Sequence, residues 1–195
     1  YNPQRELLTA SLNALNEQVD EIFLGDNSVN MPDFITTLLN LYPNTYYHSF
    51  NKNLGIAEAQ NRGIIYFQKK GFDFVLFMDQ DSLAPNNLVS SLLADYNRLK
   101  EIGIPIGGIG PRPFNRGEGK PYIGAVKKGK LILPKITEVG EIISSASLIP
   151  IPHFKQVGGM ESSLFIDGVD HEWCWRAKKI GGWRFFISES VQLSH

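Results

Sequence analysis

Residues 72–82 read Phe-Asp-Phe-Val-Leu-Phe-Met followed by Asp79-Gln80-Asp81-Ser82, an apolar run that stops on two carboxylates one residue apart. A short run this rich in aromatic and β-branched residues fits a buried strand. Carboxylates at the carboxyl end of such a strand face the crevice in which α/β sheets bind ligands. Two aspartates at this spacing can share one hard cation, and that cation can grip phosphate oxygens. The run predicts a chain that handles a phosphorylated ligand through a divalent metal.

The flanking pattern supports an α/β fold. Leu7, Leu8, Leu12, Leu15 and Val19 form one helical face after Pro3, and a strand fits 21–25. A helix fits 32–41, a strand 45–50, and a helix 56–70 that Gly71 ends as a left-handed cap. Another helix fits 86–101. Strand and helix thus alternate to about residue 110, which predicts a mostly parallel sheet with helices on both faces. Beyond it the spacing predicts a hairpin at 127–133, a strand at 141–149, a helix at 170–180 and a last strand at 183–187. Gly103 to Gly110 is glycine-rich but lacks dinucleotide-binding spacing and reads as strand and turn.

The bulk numbers narrow the function. The 195 residues suit a single domain with a sizeable core. A net charge of −1 gives no basic excess for nucleic acid. No apolar stretch approaches the roughly 20 residues that cross a bilayer. The single cysteine, Cys174, rules out an internal disulfide framework and sits between Trp173 and Trp175, where it reads as core.

Several segments, in order, resemble the inverting family 2 glycosyltransferases of GT-A fold. They are Tyr1-Asn2, the turn Asp26-Asn27-Ser28, and Asn51 to Gly63 with Asn53, Gly55, Asn61 and Arg62. Asp79-Gln80-Asp81-Ser82, Gly158-Gly159-Met160 and Phe165 to Arg176 complete the set. The acidic quartet resembles the rhamnosyltransferase variant. One departure stands out: many members carry Glu-Asp where this chain has Val169-Asp170, and Asp167 is the candidate to fill the missing charge.

The resemblance implies one glycosyltransferase domain over 1–195, with 1–110 binding nucleotide and 111–195 binding acceptor. It also implies a strand before Tyr1 and trimming at both ends. Asp79 and Asp81, with His195 as a further ligand, would hold Mg²⁺ or Mn²⁺ against a diphosphate. Tyr1, Asn2, Asp26, Asn53, Gly55, Asn61, Arg62 and Asp79 would contact the nucleotide sugar, dTDP-rhamnose or a UDP-sugar. Asp170 would be the general base, at a helix start where the dipole favours the ionised carboxylate. Asp167 and Glu172 would bind the acceptor, a glycan or lipid-linked glycan. Plain alternatives stand beside these roles: a helix cap for Asp170, a surface i,i+4 pair with Arg176 for Glu172, a frayed end for His195. The implied location is cytoplasmic, with room for peripheral association at the inner face of the membrane. Two other classes compete: phosphoryl transfer of the Asp-x-Asp phosphatase type, and a nucleotide-sugar or glycan-binding domain without turnover.

Overall fold

The computed structural model describes residues 1–115, 120–121 and 124–194. Helix α1 (Arg5–Leu15) leads to β1 (Ile22–Asp26), α2 (Ile35–Leu41), β2 (Thr45–Ser49), α3 (Gly55–Lys70), β3 (Phe74–Leu76) and α4 (Leu88–Glu101). Then come β4 (Ile106–Asn115), β5 (Lys120–Pro121), α5 (Gly124–Lys128), β6 (Lys130–Leu133) and β7 (Ile136–Val139). The chain closes with β8 (Leu148–Pro150), α6 (Ile151–Val157), α7 (Val169–Gly181) and β9 (Arg184–Ser194). Gly71 ends α3 at φ 78°, the left-handed cap the sequence predicts.

The sheet is mixed rather than mostly parallel. Among the described residues only β1·β2 and β4·β9 pair parallel, while β3·β8, β4·β5, β4·β8, β7·β9 and β6·β7 are antiparallel. The cause lies after residue 110. A two-residue turn at Pro134-Lys135, with Lys135 at φ 67°, joins β6 to β7, and such a short link permits only antiparallel pairing. The hairpin therefore runs over 130–139, not 127–133, and 124–128 is helical. The strand expected at 141–149 shrinks to β8. Ala146 takes φ 59°, which breaks extended pairing, and its N–H bonds the Phe77 carbonyl at 2.7 Å.

The core lies on both faces of the larger sheet. Leu88, Leu92 and Leu99 of α4 are fully buried against β4 and β9, each worth about 1.5–3 kcal/mol of apolar transfer. Trp173, Cys174 and Ala177 of α7 bury against the opposite face with Phe154 and Phe185. Burial pushes the Cys174 thiol up to about 12, so it is packing and not a nucleophile at neutral pH. Between β1 and β3, which do not pair among the described residues, lies a cavity of about 890 Å³. Its walls include Ile22 and Leu24 from β1 and Val75 from β3, and Asp79 and Asp81 stand at its edge.

Candidate active site

Strand β3 ends three residues before Asp79, so the acidic turn projects from the carboxyl edge of the sheet. Asp81 is exposed, whereas Asp79 is half-buried and accepts a hydrogen bond from the Ser145 hydroxyl. The neighbouring Ser144 N–H donates to Asp170 Oδ2 at 2.9 Å. A single dipeptide, Ser144-Ser145, therefore contacts both acidic sites, beside the cavity that Asp79 and Asp81 line. Asp170 is the second residue of α7, where the helix dipole favours a carboxylate. It does not cap that helix. Gly168 holds the N-cap at φ 72°. Asp170 is thus held in place by a neighbouring loop and keeps further lone pairs for a proton.

The donor side of the cleft is built on the start of α3. Asn27, just past β1, donates from Nδ2 to the Gly55 carbonyl at 3.1 Å and accepts the Leu54 N–H at 3.0 Å. Asn53 Oδ1 accepts the Gly55 N–H at 3.0 Å. The Phe165 carbonyl accepts from Ile56 N at 2.7 Å and from Ala57 N, satisfying helix-start donors that have no partner within α3. Phe165 itself sits at φ 58°, ψ −64°, the strained γ-turn conformation, with Ile166 N bonded to the Leu164 carbonyl at 2.6 Å. Such strain persists only where the surroundings enforce it. Here the enforcing partner is Gly55. At φ 80° it has no side chain to obstruct Phe165, and a Cβ there would meet the Phe165 carbonyl oxygen at 2.5 Å. Gly55→Ala is expected to cost about 2–4 kcal/mol in urea unfolding and to lower activity with it. Unchanged stability would show that the 165 turn yields freely.

The other sequence candidates fall into two groups. Tyr1, Asp26, Asn53, Gly55, Asp79 and Asp81 border the cavity. The Tyr1 backbone nitrogen donates to Gln80 Oε1 at 3.3 Å, and Asn2 N–H donates to Ser28 Oγ at 2.8 Å. Asp26 is buried and already occupied: Oδ1 accepts the Ser28 N–H and Oδ2 the Tyr47 hydroxyl at 2.9 Å. Burial first, and then the Asp26 bond, push the Tyr47 phenol up to about 12.

Asn61, Arg62 and Glu172 are engaged elsewhere. Asn61 clamps Met160, donating to its carbonyl at 2.9 Å and accepting its N–H at 2.6 Å. A Cβ on Gly159 would lie 2.3 Å from Asn61 Oδ1, which explains the glycine there. Arg62 is exposed and paired with Glu58 at 2.8 Å, one turn away. Glu172 grips Arg176 with both oxygens, at 2.7 and 2.8 Å, while Arg176 holds the Val157 and Gly159 carbonyls. Asn61 from α3 and Arg176 from α7, the latter held by Glu172, brace the 157–160 turn. Asp167 is exposed just before α7, and His195 lies outside the described residues. No group of three or more His, Cys, Asp or Glu side chains suited to a metal occurs among the described residues.

Sequence reasoning missed Asn27, Phe165, Ser144 and Ser145 as parts of the site. Only Asn27 carried a signal, as a polar residue just past a strand. The serines sat inside what reads as a strand.

A family model described as Glycosyl transferase family 2 matches residues 1–146. The chain belongs to this family. A dTDP-rhamnosyl transferase, RfbF, of Shigella flexneri is 32% identical over 191 residues, covering 93% of this chain. The chain spans 62% of that relative's length. Among solved structures, GalNAc-T7 with UDP, GalNAc and Mn²⁺ superposes with a TM-score of 0.77 at 14% identity, over all of this chain and 42% of that one. The S. aureus TarS 1–349 structure gives 0.68 at 15%, over 97% and 56%. The mannosyltransferase PcManGT of Pyrobaculum calidifontis, with GDP-Man and Mn²⁺, gives 0.64 at 15%, over 100% and 54%. At these identities the structures speak to the fold, which is GT-A. Among the described residues no helix is long and apolar enough to cross a membrane.

Proposed function

We propose that the protein is a metal-dependent inverting glycosyltransferase that moves L-rhamnose from dTDP-rhamnose to a glycan or lipid-linked glycan, in the cytoplasm or at the inner face of its membrane. The observation that carries this reading is the Ser144-Ser145 dipeptide, whose two residues bond Asp170 and Asp79 in turn. The donor set fits a hard cation that keeps substrate oxygens and water: two carboxylates at the cavity edge, with no larger cluster of metal-ligating side chains among the described residues. Mg²⁺ or Mn²⁺ bound by Asp81 and Asp79 would supply positive charge to the departing diphosphate. Two of the fold relatives carry Mn²⁺ with a nucleotide or nucleotide sugar.

The chain's own groups do the rest. Asp170 takes the proton of the acceptor hydroxyl as that oxygen bonds the anomeric carbon. The bond from that carbon to the phosphate oxygen breaks, and its electron pair leaves with the nucleoside diphosphate. One displacement needs no covalent sugar on the protein. Tyr1, Asn53 and the Gly55 turn border the donor, and Asp26 accepts a pyrimidine N–H on a remaining lone pair. Residues 1–110 form the donor half and 111–195 the acceptor half.

Incubation with a panel of nucleotide sugars and Mn²⁺ tests the donor. Turnover of dTDP-rhamnose well above the others is expected. Turnover confined to UDP-hexoses removes the rhamnose assignment.

A further inference from the structure

The loop from Glu141 to Ser145 runs beside α7, and its contacts follow in order. Glu141 Oε2 accepts the Trp175 indole N–H at 3.3 Å. The Ile142 carbonyl faces the Cys174 thiol, Ser144 N–H bonds Asp170, and the Ser145 hydroxyl bonds Asp79. The loop therefore contacts three stations in order: Trp175 through Glu141, Asp170 through Ser144, and Asp79 through Ser145.

The far end is dressed unlike the rest of α7. Trp175 is 59% exposed although Trp173, two residues earlier, is 1% exposed. His171 stands one turn before it, with ring centroids 6.2 Å apart and nearly edge-on. Ile143, on the 141–145 loop, is also exposed. Leaving an indole in water forgoes the burial that Trp173 gains. An exposed indole face flanked by a carboxylate and an imidazole offers an apolar plate with hydrogen-bonding groups at its rim. That pairing suits a pyranose ring, whose C–H faces stack and whose hydroxyls bond outward.

We infer that Trp175, Glu141 and His171 form an acceptor subsite that holds the sugar ring of the incoming glycan beyond Asp170. This inference rests on the glycosyltransferase reading and deepens it. Trp175 lies five residues from Asp170, about 7.5 Å of helix rise, and the 141–144 segment contacts both. Glu141 fixes the indole plane through Nε1 and keeps its second oxygen for a sugar hydroxyl.

The test compares Trp175→Ala, Trp175→Phe and Glu141→Gln with the unsubstituted protein. Octyl rhamnoside, octyl glucoside and octyl N-acetylglucosaminide serve as acceptor probes, and binding is read by saturation-transfer NMR alongside transfer kinetics. Trp175→Ala should lose glycoside binding and raise the acceptor KM about tenfold, with donor KM and donor hydrolysis in the absence of acceptor unchanged. Trp175→Phe should restore most of the loss, and Glu141→Gln should give a smaller rise. Unchanged acceptor KM and glycoside binding in Trp175→Ala, or no glycoside binding to the unsubstituted protein, overturns the subsite. Failure of donor hydrolysis in the unsubstituted protein speaks instead against the glycosyltransferase reading.

Discussion

Asp170→Asn is expected to lower transfer by about 10²–10⁴-fold while leaving donor affinity within a factor of two. The amide retains the size of the carboxylate and an oxygen for the Ser144 N–H, so the cleft should stay in place. It cannot take the acceptor proton. The loss should therefore fall in kcat, with acceptor and donor KM nearly constant. Calorimetric titration with dTDP and Mn²⁺, run beside single-turnover kinetics, separates the two effects. Full turnover in Asp170→Asn would remove the carboxylate from the chemistry and reduce it to an anchor for the 141–145 loop.

Asp81→Ala should act the other way. Asp81 is exposed and is the acid best placed to take a cation from solvent, since Asp79 is shared with the Ser145 hydroxyl. Removing it should weaken Mn²⁺-dependent dTDP binding at least about 100-fold, with little change in binding measured in EDTA. Because Asp81 lies on an exposed turn, thermal stability should change by less than about 0.5 kcal/mol. If metal-dependent affinity survives Asp81→Ala, the cation sits elsewhere.

The alternation of strand and helix over the first 110 residues was legible because each element carries its own period and its own stop. Gly71 and the apolar stripe of α4 are local signals of that kind. The second half was harder. Residues 141–149 have the apolar content of a strand, yet Ala146 turns to positive φ, where the carbonyl of Phe77, just past β3, takes its N–H. That bond is tertiary and leaves no mark in the local sequence. The same holds at the site. The acidic turn and Asp170 stand out as residue types, but nothing in their spacing says that Ser144-Ser145 contacts both. Nor does it say that Asn61 and Arg176 both serve the 157–160 turn. The Glu172–Arg176 pair was readable, since one helical turn suffices to join them.

The central claim is that the acidic turn and Asp170 face a single donor from two sides. Anomalous diffraction from a crystal soaked with dTDP and Mn²⁺ measures it directly. The account predicts one manganese peak in contact with Asp81 and the diphosphate, with Asp170 across the Ser144-Ser145 dipeptide from it. A peak remote from Asp81, or a diphosphate bound outside the cleft that Asp170 borders, contradicts it.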